Sequence, residues 1–311
     1  MKAVLPALAR GLLEAHLPAD LDIAWVTTRE EATAAMVDAD IGWVDLFPHG
    51  LTPEAVAAAT SLKWLFTAIA GIDSLDMAKL AHDGTIVTNG TGINAIAVAE
   101  YAVMSVLVAA KRYDEVVRIA DRRAWPDYAP GRIELFETSA LIVGYGAIGR
   151  LIGERLTAFG VAVTGVTRSG RDGTLTPDAW KAKLGTFDWV ILAAPSTDAT
   201  HAMIGTAELA AMKPGAWLFN LGRGDMVDQD ALIAALKAQR IGGACLDTVT
   251  PEPLPAEDPL WVAPNLIHTM HLSGRSQTKM FQRAAALFLR NLDALRAGRP
   301  MENVVDLTAG Y

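Results

Sequence analysis

The sequence predicts an α/β fold made of two parallel-sheet domains, and three observations carry that expectation. Short apolar runs alternate with helical patterns almost from end to end, as strand–helix–strand units on parallel sheets require. The pattern gives way to one long helical stretch in the middle of the chain and then restarts. A chain of 311 residues with 51% hydrophobic side chains has material for one large core or two smaller ones, and two is the better expectation at this length.

In the first block, the runs KAVLP, LDIAWV, DIGWVDL, LKWLFTAI and TIVTNG read as strands. Between some of them lie the helical stretches EEATAAMVDA, TPEAVAAAT and LDMAKLAHDG. A long helix, INAIAVAEYAVMSVLVAAKRYDEVVRIADRRAW, follows and is ended by Pro126, which has no N–H to offer a helix interior. A looser segment, PDYAPGRIELFETS, leads to the second block. There, strand ALIVG runs into helix AIGRLIGERLTAF, whose Ile148, Leu151, Ile152, Leu156 and Phe159 share one face. Strands VAVTGV, FDWVILAAP, AWLFNLG, GGACLD and NLIHTM come next, with helix DQDALIAALKAQR linking two of them. The amphipathic stretch SQTKMFQRAAALFLRNLDALRAG closes the chain and is expected to pack back on the first block. There are no tandem repeats or low-complexity tracts.

The net charge of −8 argues against nucleic acid or an anionic membrane as a general partner. No run reaches the roughly 18 apolar residues of a membrane span. The apolar N-terminal stretch carries Arg10, Glu14 and His16 and lacks the h-region and cleavage site of a signal peptide, so a cytoplasmic protein is expected. The single cysteine, Cys245, excludes an internal disulfide framework, and its apolar surroundings suggest a buried, inert thiol. No metal site is expected.

Gly144-Tyr145-Gly146-Ala147-Ile148-Gly149 spells G-x-G-x-x-G between strand ALIV and a helix, with a second strand beyond. That context makes it a Rossmann-type dinucleotide loop. Gly144 allows the tight turn, Gly146 lets backbone approach a pyrophosphate, and Gly149 lets the helix pack close to the strand. The helix N-terminus offers free N–H groups and a positive dipole end to the anion. In NAD-binding folds the second strand ends on an Asp or Glu that holds the ribose 2′-OH. Here the strand ends in VTRSGR: Thr167 takes the acid's place, followed by Arg168, Ser169 and Arg171. Guanidinium and hydroxyl groups bind a 2′-phosphate that a carboxylate would repel. The cofactor expected is NADP(H) in preference to NAD(H).

Three later segments belong together: NLGRGDMVDQDAL around Arg223, LDTVTPEPLP around Glu252 and NLIHTMHLSG around His271. With GYGAIG and VAEYAV they resemble the D-isomer-specific 2-hydroxyacid dehydrogenases over nearly the whole chain, in order and in spacing. The threonine–arginine–serine strand end looks like that of the glyoxylate/hydroxypyruvate reductase members that use NADPH. Reduction of a 2-oxo acid needs a cation for the carboxylate, a proton donor for the carbonyl oxygen and a hydride for the carbonyl carbon. Arg223 and His271, each just past a strand end, supply the first two, and Glu252 would orient the imidazole. His268 is a rival base, but strand alternation sets it on the face away from His271.

The resemblance implies further contacts. Asp247 would meet the nicotinamide carboxamide; Ala194, Pro195, Thr200, Leu221 and Gly222 would line the cofactor; Ala70 and Gly71 would hold the substrate carboxylate together with Arg223, and His271 would also contact the substrate. This sequence departs from the family in two places, with Met270 where proline usually precedes the catalytic histidine, and LSGR after it. Phe47, Pro48 and His49 form a candidate loop over the substrate, or a plain connection. The expected architecture is a Rossmann-type doubly wound sheet, residues 97–275, inserted in a flavodoxin-like α/β substrate domain, residues 1–96 with 276–311, with the active site in the cleft. The expected function is NADPH-dependent reduction of a small 2-oxo acid, of the glyoxylate or hydroxypyruvate kind, to the (R)-2-hydroxy acid. A homodimer is expected through residues 94–125. Two alternatives stay open: NAD-dependent oxidation of a 2-hydroxy acid, and a non-catalytic, cofactor-sensing protein similar to the corepressors that share this fold.

Overall fold

A computed structural model describes residues 1–46, 50–72 and 74–307. Phe47, Pro48 and His49 therefore lie outside the described residues. The chain forms two compact units: residues 1–94 with 277–311, and residues 95–276.

The first unit is built on strands β1 (Lys2–Pro6), β2 (Asp22–Val26) and β3 (Ile41–Trp43), a short antiparallel pair β4 (Asp45–Leu46) and β5 (Gly50–Leu51), and strands β6 (Trp64–Phe66) and β7 (Ile86–Thr88). The main sheet is parallel, in the order β2-β1-β3-β6-β7, which is the flavodoxin-like winding. Every residue of β3 and β6 is buried, as strands covered on both faces require. The apolar run DIGWVDL does not form one strand. It breaks after Trp43 because Asp45 turns inward to accept the indole N–H of Trp43 and the hydroxyl of Thr67. Helices α1 (Arg10–Leu13), α2 (Arg29–Met36), α3 (Pro53–Ala58) and α4 (Met77–His82) connect the strands. Their starts follow capping chemistry: a Thr28/Glu31 capping box for α2, Pro53 in the first turn of α3, and Asp76 at the N-cap of α4.

The C-terminal helix, Met280–Arg296, belongs to this unit. It buries Met280, Ala284, Ala285, Leu287, Phe288 and Leu292 against the sheet face that carries Trp43, Trp64 and Phe66. Phe288 stacks on Trp64 at 4.9 Å and meets Phe66 edge-on at 5.5 Å.

The second unit holds helices α5 (Ala95–Lys111) and α6 (Tyr113–Asp121) and then a six-stranded parallel sheet. Its strands are β8 (Ser139–Val143), β9 (Ala162–Val166), β10 (Trp189–Leu192), β11 (Trp217–Asn220), β12 (Gly243–Leu246) and β13 (Leu266–His268). The order β13-β12-β11-β10-β8-β9 reverses direction between β8 and β10, the switch point where doubly wound sheets bind ligands. Helices α7 (Ala147–Ala158), α8 (Thr206–Ala211) and α9 (Gln229–Lys237) complete the layers. Strands β10, β11 and β12 stop short of the apolar runs that predict them. The remainders, Ala193 to Pro195, Leu221 to Gly222 and Asp247, become loops at the carboxyl edge of the sheet.

Two expectations are corrected here. The single long helix is two, because Arg112 adopts a left-handed conformation with φ 49°. The returning segment supplies the reason: the N–H of Ile133 takes the carbonyl of Ala110 at 3.2 Å, and Lys111 Nζ donates to the carbonyl of Ile133. On α7, Ile152 and Leu156 are buried and Ile148 and Leu151 partly so, but Phe159 is 45% exposed. Cys245 is buried, and burial pushes its thiol up to about 12. Among the described residues no helix is long and apolar enough to cross a membrane.

The ring cluster generates a prediction. Phe288→Ala should destabilise the first unit by about 3–5 kcal/mol, the range for a large ring deleted from a core, and Phe288→Leu should cost less than half as much. Urea unfolding followed by tryptophan fluorescence measures both. A loss under about 1 kcal/mol for the alanine variant would mean that the terminal helix is not part of that core.

Candidate active site

The loop between β8 and α7 has the shape a pyrophosphate needs. Gly144 has φ 94°, and a Cβ there would lie 2.4 Å from the backbone N of Ala194. Above Gly146 there is open space: a Cβ would meet nothing within 4 Å, and no side chain caps the helix that starts there. The N–H groups at the start of α7 thus remain for an anion, and the donor set fits a dinucleotide. The Tyr145 ring fills the space that Gly153 and Gly165 leave empty, and its N–H is taken by the carbonyl of Val166 at 2.9 Å. Ala147 and Ile148 form the first turn of α7, and Gly149 packs against the Gly144 carbonyl.

At the end of β9, Thr167 does more than replace an acid. Its hydroxyl accepts the N–H of Gly170 at 3.1 Å and shares a hydrogen bond with Thr174 at 2.7 Å, closing the turn. Arg168, Ser169 and Arg171 are exposed on that turn. Two neighbours that the sequence reading passed over bear on the turn's charge. Asp172 follows Arg171 directly, and its carboxylate lies 3.7 Å from Arg150 on α7. Arg150 also lies over the Tyr145 ring, at 5.5 Å. Around the turn, Arg150, Arg168 and Arg171 therefore stand with Asp172.

Further along the carboxyl edge, Thr200 closes the Pro195 loop: its hydroxyl donates to the carbonyl of Pro195 at 2.8 Å and accepts the N–H of Thr197. Ala194 is partly buried beside it. The Leu221 side chain is buried in the core, so only its backbone faces outward. Asn220, fully buried at the end of β11, brackets the next two residues: its amide donates to the carbonyl of Arg223 at 2.7 Å and its oxygen accepts the N–H of Gly222 at 3.1 Å. The half-buried Arg223 is thereby fixed at the strand end, with Nη1 on the carbonyl of Gly222.

The structure brings His271, Glu252 and Arg223 into one electrostatic neighbourhood. His271 Nδ1 and Glu252 Oε2 are 2.7 Å apart, with side chains 43% and 36% exposed. The other carboxylate oxygen of Glu252 accepts the N–H of Val249. Burial alone would raise the Glu252 carboxyl. The bonds from His271 and Val249, with the charges of His271 and Arg223, outweigh burial and hold it below the usual carboxylate range. His268 is placed differently: it packs against Trp261 with ring centroids 5.0 Å apart, and burial holds its imidazole below the usual histidine range.

The backbone that carries His271 is unusual. Met270 and His271 are consecutive left-handed residues, with φ 51° and 54°. Proline, fixed near φ −65°, has no place at residue 270 in this turn, which gives a physical reason for one departure from the family pattern. Asp247, 2% exposed, holds the turn. Its carboxylate accepts the Thr269 hydroxyl at 2.7 Å, the N–H groups of Leu272 and Ser273, and the hydroxyl of Ser273, while its backbone carbonyl accepts the N–H of His271. Ser273 is the other departure, and its hydroxyl is one of these donors. The carboxamide role that the resemblance implies for Asp247 thus competes with donors from its own loop. The sequence assigns no role to Thr269, and it marks Ser273 only as part of the departing LSGR segment.

In the first unit, Ala70 is exposed and Gly71 half-buried, just past β6. Asn89 Nδ2 holds the carbonyl of Ala70 at 2.8 Å.

A family model described as the NAD binding domain of D-isomer specific 2-hydroxyacid dehydrogenases matches residues 103–273. The glyoxylate reductase of Thermofilum pendens is 32% identical, over 88% of this chain and 83% of its own length. The glyoxylate/hydroxypyruvate reductase A of Serratia proteamaculans is 31% identical, over 85% of each chain. A solved structure of a D-isomer specific 2-hydroxyacid dehydrogenase family protein from Aeromonas salmonicida shares the fold with a TM-score of 0.87 and 30% identity, over 98% of this chain and 99% of that one. The doubly wound unit is therefore an NAD(P)-binding domain, and the chain belongs to the D-isomer specific 2-hydroxyacid dehydrogenase family.

Proposed function

We propose that this chain reduces a small 2-oxo acid of the glyoxylate or hydroxypyruvate class to the (R)-2-hydroxy acid, with NADPH as the preferred cofactor. The His271–Glu252 contact of 2.7 Å beside Arg223 carries the reading. The reduced nicotinamide supplies the hydride when bound. With Nδ1 engaged by Glu252, Nε2 is the ring nitrogen left to give a proton to the carbonyl oxygen. Arg223 binds the substrate carboxylate and polarises the carbonyl. In the first unit, the N–H groups of Ala70 and Gly71 serve as carboxylate donors. The names of the glyoxylate reductase relatives support the substrate class.

His271→Ala should lower kcat by about 10²–10⁴, the range for a general acid. Arg223→Ala should raise KM for the acid as well. Glu252 is a depressed carboxyl, so its contact with His271 is complete at neutral pH and is lost only as pH falls through its lowered value. Glu252→Gln should shift the pH–kcat profile to lower pH, because the imidazolium loses an anionic partner. Steady-state rates with glyoxylate from pH 5 to 9 test all three. Near-wild-type turnover by His271→Ala would transfer the proton donor's role to His268.

Cofactor preference rests on the arginines around Thr167. One effective charge-assisted contact favours NADPH by roughly 10–100-fold in kcat/KM. Thr167→Asp with Arg168→Ala should move the preference towards NADH and leave kcat at saturating cofactor within about twofold, because neither residue belongs to the catalytic group. Equal use of NADH and NADPH by the wild type at low ionic strength would show that the arginines are ordinary surface residues.

A homodimer through residues 94–125 is part of the proposal. The second unit leaves an apolar groove lined by Val103, Met104, Leu107, Val108 and Phe159. Met104 is 43% exposed there, and Trp125 beyond α6 is 95% exposed. Replacing Met104 and Leu107 with glutamate should give a monomer in sedimentation velocity; an unchanged sedimentation coefficient would place the contact elsewhere.

A further inference from the structure

The first unit buries a carboxylate that the proposed chemistry does not use. Asp45, in β4, is 0% exposed. Its Oδ2 accepts the indole N–H of Trp43 at 2.9 Å and the backbone N–H of Ala68; its Oδ1 accepts the Thr67 hydroxyl at 2.8 Å. Among the described residues no cation pairs with it. Burial raises its carboxyl to about 6, against the pull of these three donors. An unpaired buried carboxylate is a burden on stability that an apolar residue would not impose. Its retention therefore calls for a reason in what it holds.

It holds the segment that leads from β6 to Ala70 and Gly71. Thr67, tied to Asp45, also accepts the N–H of Ile69 at 3.3 Å. From the other side, the N–H of Thr67 bonds the carbonyl of Thr88, the N–H of Gly90 bonds the carbonyl of Ile69, and Asn89 bonds the carbonyl of Ala70. Polar groups from Thr67 to the carbonyl of Ala70 are thus turned into the unit. The next two donors, the N–H groups of Ala70 and Gly71, meet no acceptor among the described residues.

We propose that Asp45 is a positioning residue for the substrate: through Thr67 and Ala68 it fixes the backbone so that the N–H groups of Ala70 and Gly71 face the carboxylate of a 2-oxo acid. This rests on the reading of Ala70 and Gly71 given under Proposed function. The residue acts through the loop and takes no part in the proton or hydride transfer.

The test uses the full-length enzyme and three variants, Asp45→Ala, Asp45→Asn and Thr67→Val. Kinetics with glyoxylate and reduced cofactor are read beside amide hydrogen exchange over residues 64–75. Asp45→Ala should raise KM for the acid by about 10–100-fold, with kcat and the cofactor KM within about twofold. Exchange at Ala70 and Gly71 should quicken. In Asp45→Asn the amide oxygen can take the Trp43 and Ala68 donors and its NH₂ can face the Thr67 hydroxyl, so KM should stay within about threefold of wild type. Thr67→Val keeps the packing volume and removes the tie to Asp45 together with the bond from the N–H of Ile69. It should raise KM by about 3–10-fold, and it decides the matter if Asp45→Ala does not fold. An unchanged acid KM in a folded Asp45→Ala or Thr67→Val variant overturns the proposal. So does an asparagine variant as damaged as the alanine one. If the wild type reduces no 2-oxo acid, the functional reading fails by itself, and oxamate is then used as the probe. Protection of the Ala70 and Gly71 amides by oxamate in wild type but not in Asp45→Ala supports the positioning role; no protection in either overturns it.

Discussion

Asp247 holds two consecutive left-handed residues, Met270 and His271, at the end of β13, and the proposed chemistry depends on that grip. Left-handed backbone is unfavourable for residues with a Cβ, by roughly 1–2 kcal/mol each, and persists only where surroundings impose it. Here a buried carboxylate imposes it through Thr269, Leu272 and Ser273. The turn places the His271 ring against Glu252, and that contact in turn leaves Nε2 as the ring nitrogen that the proposed proton transfer uses. Loosening the turn would release the imidazole without touching the imidazole itself.

The same device recurs in the other unit. Residues beyond a parallel strand lose the ladder that satisfied their N–H groups, and a loop at the sheet's carboxyl edge must find other acceptors. Asp45 provides one for the N–H of Ala68 and also takes the Thr67 hydroxyl, and Asp247 provides them for the segment after β13. Each acid is nearly or wholly buried, and each lies beside a loop to which a ligand contact is assigned. A carboxylate suits the task because its two oxygens accept several bonds at once, and charged acceptors bind N–H groups more strongly than neutral ones. Rigid loops therefore come at the cost of buried charge, which is a reasonable exchange where a site must be preorganised.

The order of strands and the glycine loop were legible in the sequence, because both are written in local patterns. Alternating apolar runs gave every strand of the two main sheets, though the runs outlasted the strands by the residues that form site loops. Arg223, Glu252 and His271 were legible through spacing and resemblance, and the fold does bring them together. What was not legible depended on contacts distant in sequence. The break at Arg112 follows from Ile133 reaching back to Ala110. Asp45 lies inside the run DIGWVDL, and nothing local joins it to Thr67. The turn after β9 was read one residue short, so that Asp172 and its neighbour Arg150 on α7 escaped notice. Tyr145 belonged to a cofactor motif by position, yet its ring is spent on packing, because the two glycines that make room for it lie on other elements.

The glycine after Arg223 shows how a motif residue can act at a distance. A Cβ on Gly224 would lie 2.1 Å from the carbonyl carbon and oxygen of Val249. The segment that carries Glu252 therefore runs against the backbone of the arginine loop, with no room for a side chain between them. The same segment is tied at Val249, whose N–H binds Glu252, and at Thr250, which is paired on both sides of its backbone with Gln229 from α9. α9 is itself started by Asp228, which caps the N–H of Ala231. In the run N-L-G-R-G-D-M-V-D-Q, then, Asn220 aims the arginine, Gly224 admits the neighbouring segment, Asp228 starts the helix and Gln229 clamps the segment in place. The influence of Arg223 on the Glu252 carboxyl is a consequence of that close approach. A larger residue at 224 would push the two loops apart and weaken the pairing of charge with imidazole, even with Arg223, Glu252 and His271 unchanged.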